Sequence, residues 1–207
     1  MKLAAPRRAE SRRDELLDRA EALFTAHGFH GVTLAAIAAA GGLGNAGLIH
    51  YFPTKQKLYR EVLRRLGDDL DADVADALTA ASGPREQLAT LVRAVAAWSL
   101  QRAGRARLVI RELLDDGGAA RIERARTLPL ARFIGRATAL VEVAQRARLV
   151  RTGDPLVVLM QIFGTLAYAQ LARPTLARLG GSKHAGDEHR WMGAVVADVE
   201  RTLFREV

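Results

Sequence analysis

Cysteine is absent from this chain of 207 residues. That excludes a disulfide framework and any thiolate metal site, and it fits a reducing interior. Aromatic residues make up only 5% although hydrophobic residues reach 49%. Alanine supplies much of that apolar share, a composition that favours close-packed helices over a strand-rich sandwich. The beginning, MKLAAPRRAESRR, lacks the apolar stretch of a secretory signal, and the sequence reads as having no uncharged apolar run long enough to span a bilayer. A cytoplasmic protein with no membrane partner is expected. Catalytic signatures are missing too: there is no glycine-rich phosphate loop, no His-Glu-x-x-His and no Gly-x-Ser-x-Gly, so neither an enzyme nor a cofactor is indicated. His184, Asp187, Glu188 and His189 form the one metal-like cluster. Their irregular spacing in a loop reads as a solvated linker, and no metal site is expected.

Acidic residues are also unevenly placed. The formal net charge is +8, which favours a polyanionic partner. Between Met1 and Arg60 the only acids are Glu10, Asp14, Glu15, Asp18 and Glu21, and none lies between Ala22 and Arg60. Lys55, Lys57 and Arg60 close that acid-free stretch.

The pattern predicts an all-α chain of about nine helices. Residues 1–9, with Lys2, Arg7 and Arg8, read as a flexible basic arm, either lying on phosphates or simply solvated. Ser11 and Asp14 suggest a capping box for a first helix, whose Leu16, Ala20, Leu23 and Phe24 form an amphipathic stripe before Gly28 stops it. Thr33 is a good cap for a second helix carrying Leu34, Ile37 and Ala38, which Gly41-Gly42 ends. A third runs from about Gly44 to Tyr51 with Leu48 inward and Asn45, Ala46 and His50 outward, and Thr54 caps a fourth that continues towards Ala81. Residues 10–59 are therefore expected to be a helix-turn-helix DNA-binding domain and 60–207 a helical regulatory and dimerisation domain of about five further helices.

Two helices joined by a tight glycine turn can place the second in a major groove of DNA. Ala35, Ala36, Ala39 and Ala40 are expected to let the helices approach closely, while Asn45 and His50 can read bases or hold phosphates. Lys55 and Lys57 stand in the first turn of the fourth helix, where positive charge opposes the helix dipole by about 0.3–1 kcal/mol each. A phosphate at that N-terminus would offset the cost. Two solvated lysines are the alternative.

The segments LFTAHGFHGVT (Leu23–Thr33) and IAAAGGLGNAGLIHYFPTKQKL (Ile37–Leu58) resemble the TetR family of transcriptional regulators over many ordered positions. Gly44 departs from a usual serine, Ala46 and Gly47 reverse the order of small residues, and Ile49 replaces a frequent tyrosine. The resemblance implies DNA contacts at Thr33, Asn45, His50, Tyr51 and Lys55, with Lys55 the leading phosphate ligand; the outward Ala46 and the helix-start Lys57 are expected to join them, and Tyr51 could equally pack inward. It also implies a homodimer on a pseudo-palindromic double-stranded operator, a small-molecule effector of unknown identity, and repression relieved by that effector.

Beyond residue 60 the sequence is less specific. Helices near 154–171 and 188–204 carry apolar stripes, Leu156, Leu159, Phe163, Leu166 and Gln170 on one and Trp191, Val195, Val199 and Leu203 on the other. These would meet their copies in a four-helix interface or close the monomer's own core. Trp98, Phe133, Met160, Phe163, Gly164 and Tyr168 are candidate pocket linings, each also suited to ordinary core. Two alternatives stay open: a small-molecule-binding protein with a vestigial helix-turn-helix, and a ligand-independent activator of the same family.

Overall fold

The computed structural model describes residues 5–114, 130–180 and 182–205. These form nine helices: α1 (Ala5–His27), α2 (Leu34–Ala40), α3 (Asn45–Tyr51), α4 (Lys55–Leu78), α5 (Gly83–Gln101), α6 (Ala103–Leu114), α7 (Ala131–Arg146), α8 (Pro155–Arg178) and α9 (Glu188–Leu203). An isolated antiparallel bridge, Val150 to Phe204, is the only strand-like pairing among them. The all-α expectation holds. Two compact units divide the chain, Met1–Leu66 with Arg107–Pro129 and Gly67–Ala106 with Leu130–Val207. The first unit therefore includes residues from α6, which domain limits at 59 and 60 do not capture.

In the first unit, Leu16, Leu17, Ala20 and Phe24 of α1 are buried against Ile37, Ala38, Leu48, Leu58, Tyr59 and Val62. The rings of Phe24, Phe29 and Tyr59 anchor this core, with centroids 4.9 Å apart for Phe24–Tyr59 and 5.0 Å for Phe29–Tyr59. Gly41 permits a close approach of α1 and α2, since a Cβ there would stand 2.5 Å from Leu16 Cδ2. Gly42 has φ +65° and ends α2 in a Schellman turn: its amide donates to Ala39 O at 3.0 Å and that of Leu43 to Ala38 O at 2.8 Å.

Four sequence expectations change here. Residues 5–9 are helical and belong to α1, so the arm does not extend to residue 9 as expected, and residues 1–4 lie outside the described ones. Ser11 consequently sits inside α1 and caps nothing; the helix pattern before it was hidden by a run of alanine, proline and arginine with no apolar period. Ala35, Ala36, Ala39 and Ala40 are exposed on α2, and the close packing is made by Ile37, Ala38 and Gly41 instead. Finally, α4 ends at Leu78 rather than Ala81. The sequence also predicts a helix break at Gly117-Gly118, a position outside the described residues.

In the second unit, α5, α7, α8 and α9 bury Leu88, Leu91, Val92, Phe133, Val141, Leu159, Ile162 and Leu166 among others. Asp154 and Asp187 cap α8 and α9, accepting from Leu156 N at 2.8 Å and Arg190 N at 3.0 Å. The hydrogen bond from Arg190 holds the Asp187 carboxyl below its usual range, which gives this member of the polar loop cluster a capping task. Asp71, 2% exposed, accepts from Arg136 Nε at 2.7 Å and Nη2 at 3.2 Å, with Arg132 Nη2 3.4 Å away.

Helix α8 corrects two further expectations. Residues 155–172 carry no charge, so the helix is long and apolar enough to cross a membrane after all. Its apolar residues, however, divide between the unit's interior and a surface stripe. Leu159 and Leu166 are buried, Gln170 with them, while Leu156 (54% exposed), Val157, Met160 (66%), Tyr168 (71%) and Leu171 face outward. The stripe expected to meet a second chain is mostly the one that closes the core, and a different stripe is exposed.

Candidate nucleic-acid interface

Helices α2 and α3 are bent by 97° to one another, within the range of helix-turn-helix units. Thr33 begins α2 as its N-cap, its Oγ1 accepting from Ala36 N at 3.1 Å. Its hydroxyl proton stays available to donate, and the residue is exposed. Gly44 is the N-cap of α3 and supplies no side-chain hydrogen bond. Along α3 only Leu48 is buried. Asn45, Ala46, Ile49 and His50 are exposed on the outer side, a row that mixes an amide, a methyl, a branched alkyl group and an imidazole. Tyr51 is half-buried and packs against the unit's core, its ring 5.6 Å from that of His50 at an interplanar angle of 81°. Of the residues expected to face outward on α3, Asn45, Ala46 and His50 do, and Tyr51 takes its packing alternative.

Lys55 is placed differently from the expectation. Its ammonium donates to Phe29 O at 3.1 Å and Val32 O at 2.9 Å and lies 4.3 Å from the Phe29 ring centre. The charge at the α4 N-terminus is thus compensated by carbonyls of the α1–α2 connection, and no phosphate is needed to explain it. Sequence reasoning could not see this, because the partners are backbone atoms 23 and 26 positions away. Lys57 is exposed, and its amide is capped by Thr54 Oγ1 at 3.1 Å.

Two arginines missed as structural parts complete the frame. Arg12 donates to the Gly41 carbonyl and to Glu15 at 2.6 Å, tying α1 to the glycine turn. Arg13 sits 5.0 Å from the Phe52 ring centre and pairs with Glu61 at 3.0 Å. Glu61 also accepts from Arg64, whose hydrogen bond is the main reason its pKa falls to about 2. Arg65 bridges Asp18 at 2.6 Å and Glu21 at 2.7 Å. Much of the N-terminal charge is therefore consumed within the unit, and the positive surface beside α3 rests on fewer side chains than a count of residues suggests.

The expected pocket residues in the second unit separate. Trp98 and Phe133 are buried, with Phe133 and the half-buried Phe163 5.3 Å apart ring to ring. Met160, Gly164 and Tyr168 belong to the outward stripe of α8 and line no interior space with them. Among the described residues of this unit, three buried side-chain polar atoms stand without a hydrogen-bond partner in the chain: Trp98 Nε1, Gln170 Oε1 and Arg173 Nε. The Gln170 amide nitrogen donates to Ser99 O at 2.8 Å, which fixes the amide orientation and leaves its oxygen open.

An expected outcome follows for the two lysines. Lys55→Met should lower the stability of the first unit by about 1.5–3 kcal/mol, the loss of hydrogen bonds made by a charged group. Lys57→Ala should leave stability within about 0.5 kcal/mol and reduce the salt dependence of any DNA binding by about one unit of slope. Thermal denaturation and anisotropy titrations across salt concentrations read the two effects separately; a full unit of lost slope for Lys55→Met with unchanged stability would reverse the assignment.

Residues 16–62 match the family model described as bacterial regulatory proteins, tetR family. The HTH-type transcriptional regulator BetI of Agrobacterium fabrum is 43% identical over 81 residues, 39% of each chain. The HTH-type transcriptional repressor KstR2 of Mycolicibacterium smegmatis is 36% identical over 89 residues, 43% of each. The matched stretch thus spans about two fifths of the length of these curated relatives. Over nearly the whole chain the fold is shared with AibR, solved in complex with isovaleryl coenzyme A and operator DNA, at a TM-score of 0.68 and 20% identity, covering 90% of this chain and 97% of that one.

Proposed function

We propose that this chain, a member of the tetR family of bacterial regulatory proteins, is a homodimeric repressor that binds a pseudo-palindromic operator and releases it when a small molecule occupies its second unit. The observation that carries the DNA part is the outer face of α3, where Asn45, Ala46, Ile49 and His50 are exposed on a helix held by the Gly41-Gly42 turn and the Phe24–Phe29–Tyr59 cluster. Thr33 and Lys57 flank that face as phosphate contacts, Tyr51 supports it from the half-buried side, and Lys55 positions the α1–α2 connection beneath it. The exposed alanines of α2 suit a helix that crosses the phosphate backbone closely.

The outward stripe of α8 supports the dimer. Leu156, Met160, Gly164 and Tyr168 recur every fourth residue and all are exposed. A contiguous apolar stripe of this kind marks a surface that meets another, and twofold pairing would match two half-sites. Met160→Glu should shift the protein from dimer to monomer in light scattering and weaken operator binding at least tenfold; an unchanged mass would remove α8 from the interface.

The orphaned Trp98 Nε1 and Gln170 Oε1 support an effector. A buried donor and a buried acceptor each cost on the order of 1–3 kcal/mol when unpaired, and a ligand or ordered water with the complementary groups recovers that. The DNA reading is tested by anisotropy titration against the region upstream of the gene and its neighbours, with random duplex as control. Equal affinity for both would overturn it and favour a ligand-binding protein whose helix-turn-helix is vestigial.

A further inference from the structure

We infer that Ile49 is a base-reading residue, recognising the C5 methyl group of a thymine in each half-site. The inference rests on the proposed DNA-binding reading and adds the operator chemistry to it.

Ile49 is 41% exposed on a seven-residue helix whose inward position is already filled by Leu48. It contributes little to the core there, and a β-branched side chain lowers helix propensity, so folding does not explain its presence. In the major groove most groups presented by base edges are hydrogen-bond donors or acceptors, and the apolar exception is the thymine methyl. An isoleucine side chain has nothing to offer a phosphate. Its branched Cβ holds χ1 to one rotamer in a helix, so the methyl-sized surface is ordered before contact and loses little entropy on docking.

The neighbours on α3 agree with this register. Asn45 stands four positions earlier on the same side, about 6 Å along the helix axis, a distance that spans roughly two base-pair steps of about 3.4 Å. Asparagine pairs through both amide atoms with adenine N6 and N7. Ala46 between them adds no bulk and lets α3 sit deep enough for a short side chain to reach base edges. A polar amide and a stiff alkyl group spaced this way suit an A·T-containing half-site, with the adenine and the thymine methyl read about two base-pair steps apart.

The test begins with selection of bound duplexes from a random library by the full chain. Each thymine of the enriched site is then replaced in turn by deoxyuridine, which removes only the methyl group. Wild-type protein should lose about fourfold in affinity at one thymine per half-site, the worth of burying one methyl-sized group. Ile49→Ala should bind the thymine site about as weakly as wild type binds the deoxyuridine site and should no longer distinguish the two at that position. Ile49→Val, which keeps the branch, should retain the discrimination. Ile49→Ala melting at the wild-type temperature confirms that the frame is intact. If wild type is indifferent to every deoxyuridine replacement, or if Ile49→Ala discriminates as wild type does, the inference is overturned while DNA binding stands. If no sequence is enriched, the DNA-binding reading falls and the inference with it.

Discussion

Replacing Asp71 by alanine is expected to destabilise the second unit by about 2–3 kcal/mol. Asp71 is buried and accepts two hydrogen bonds from Arg136, with Arg132 close by. Removing one partner of a fully buried ion pair costs about 3–5 kcal/mol, because the other charge is left uncompensated. Here Arg136 keeps 37% of its side-chain surface and Arg132 74%, so water recovers part of the loss. Asp71→Asn, which keeps the shape and can still accept, should cost less. Both tryptophans, Trp98 and Trp191, lie in this unit. Urea denaturation followed by tryptophan fluorescence therefore reports it directly, and a change below about 0.5 kcal/mol would show that Asp71 is hydrated rather than buried.

The same carboxylate gives the unit a pH dependence. The Arg136 hydrogen bond holds the Asp71 pKa below its ordinary value. A group depressed in the folded state stabilises fully above its unfolded pKa, near 3.9, and that contribution is lost as pH falls through the lower folded value. Acid should erase the difference between wild type and Asp71→Ala on the tryptophan signal. Glu61 works in the same direction in the first unit, where its stabilisation is present above the ordinary 4.5 and lost on approach to about 2, with no tryptophan to report it.

The parts legible in the sequence were those written in local spacing. Thr33 as a cap, Gly41-Gly42 as a stop, Leu48 inward and Asn45 and His50 outward all follow from positions three or four apart, and each is where it was expected. What the sequence concealed was set by partners far along the chain. Lys55 looks like a phosphate ligand by its place at a helix start, and only the carbonyls of Phe29 and Val32 give it a structural task. Helix α8 shows a related limit. It is apolar nearly all round, so periodicity cannot separate the stripe that packs inside from the one left outside. By periodicity alone Met160 and Tyr168 group with Trp98 and Phe133, and only their exposure divides them. The proposed effector and operator have no such local signature, since recognition of either depends on shapes assembled from several helices.

Phe24→Ala is expected to cost the first unit about 3–5 kcal/mol, the range for truncating a buried phenylalanine, and to abolish the proposed operator binding at ordinary temperature. Phe24 is fully buried, with its ring edge-on to Tyr59 at 4.9 Å and stacked on Phe29 at 6.3 Å. Phe29 in turn lies beneath the Lys55 ammonium, and its carbonyl holds that same ammonium. Truncation leaves a cavity at the meeting point of α1, α4 and the connection into α2, so the loss extends beyond one side chain's burial. Edge-to-face ring pairs add about 0.5–1.5 kcal/mol beyond area, and Phe24→Leu, which refills most of the volume, should recover much of the stability but not that part. A double-mutant cycle of Phe24→Leu with Lys55→Met checks the connection. If the ring cluster and the lysine act as one unit, their effects should fall short of additivity by at least 0.5 kcal/mol; strict additivity would mean that Lys55 holds the carbonyls of the connection without help from the aromatic core below them.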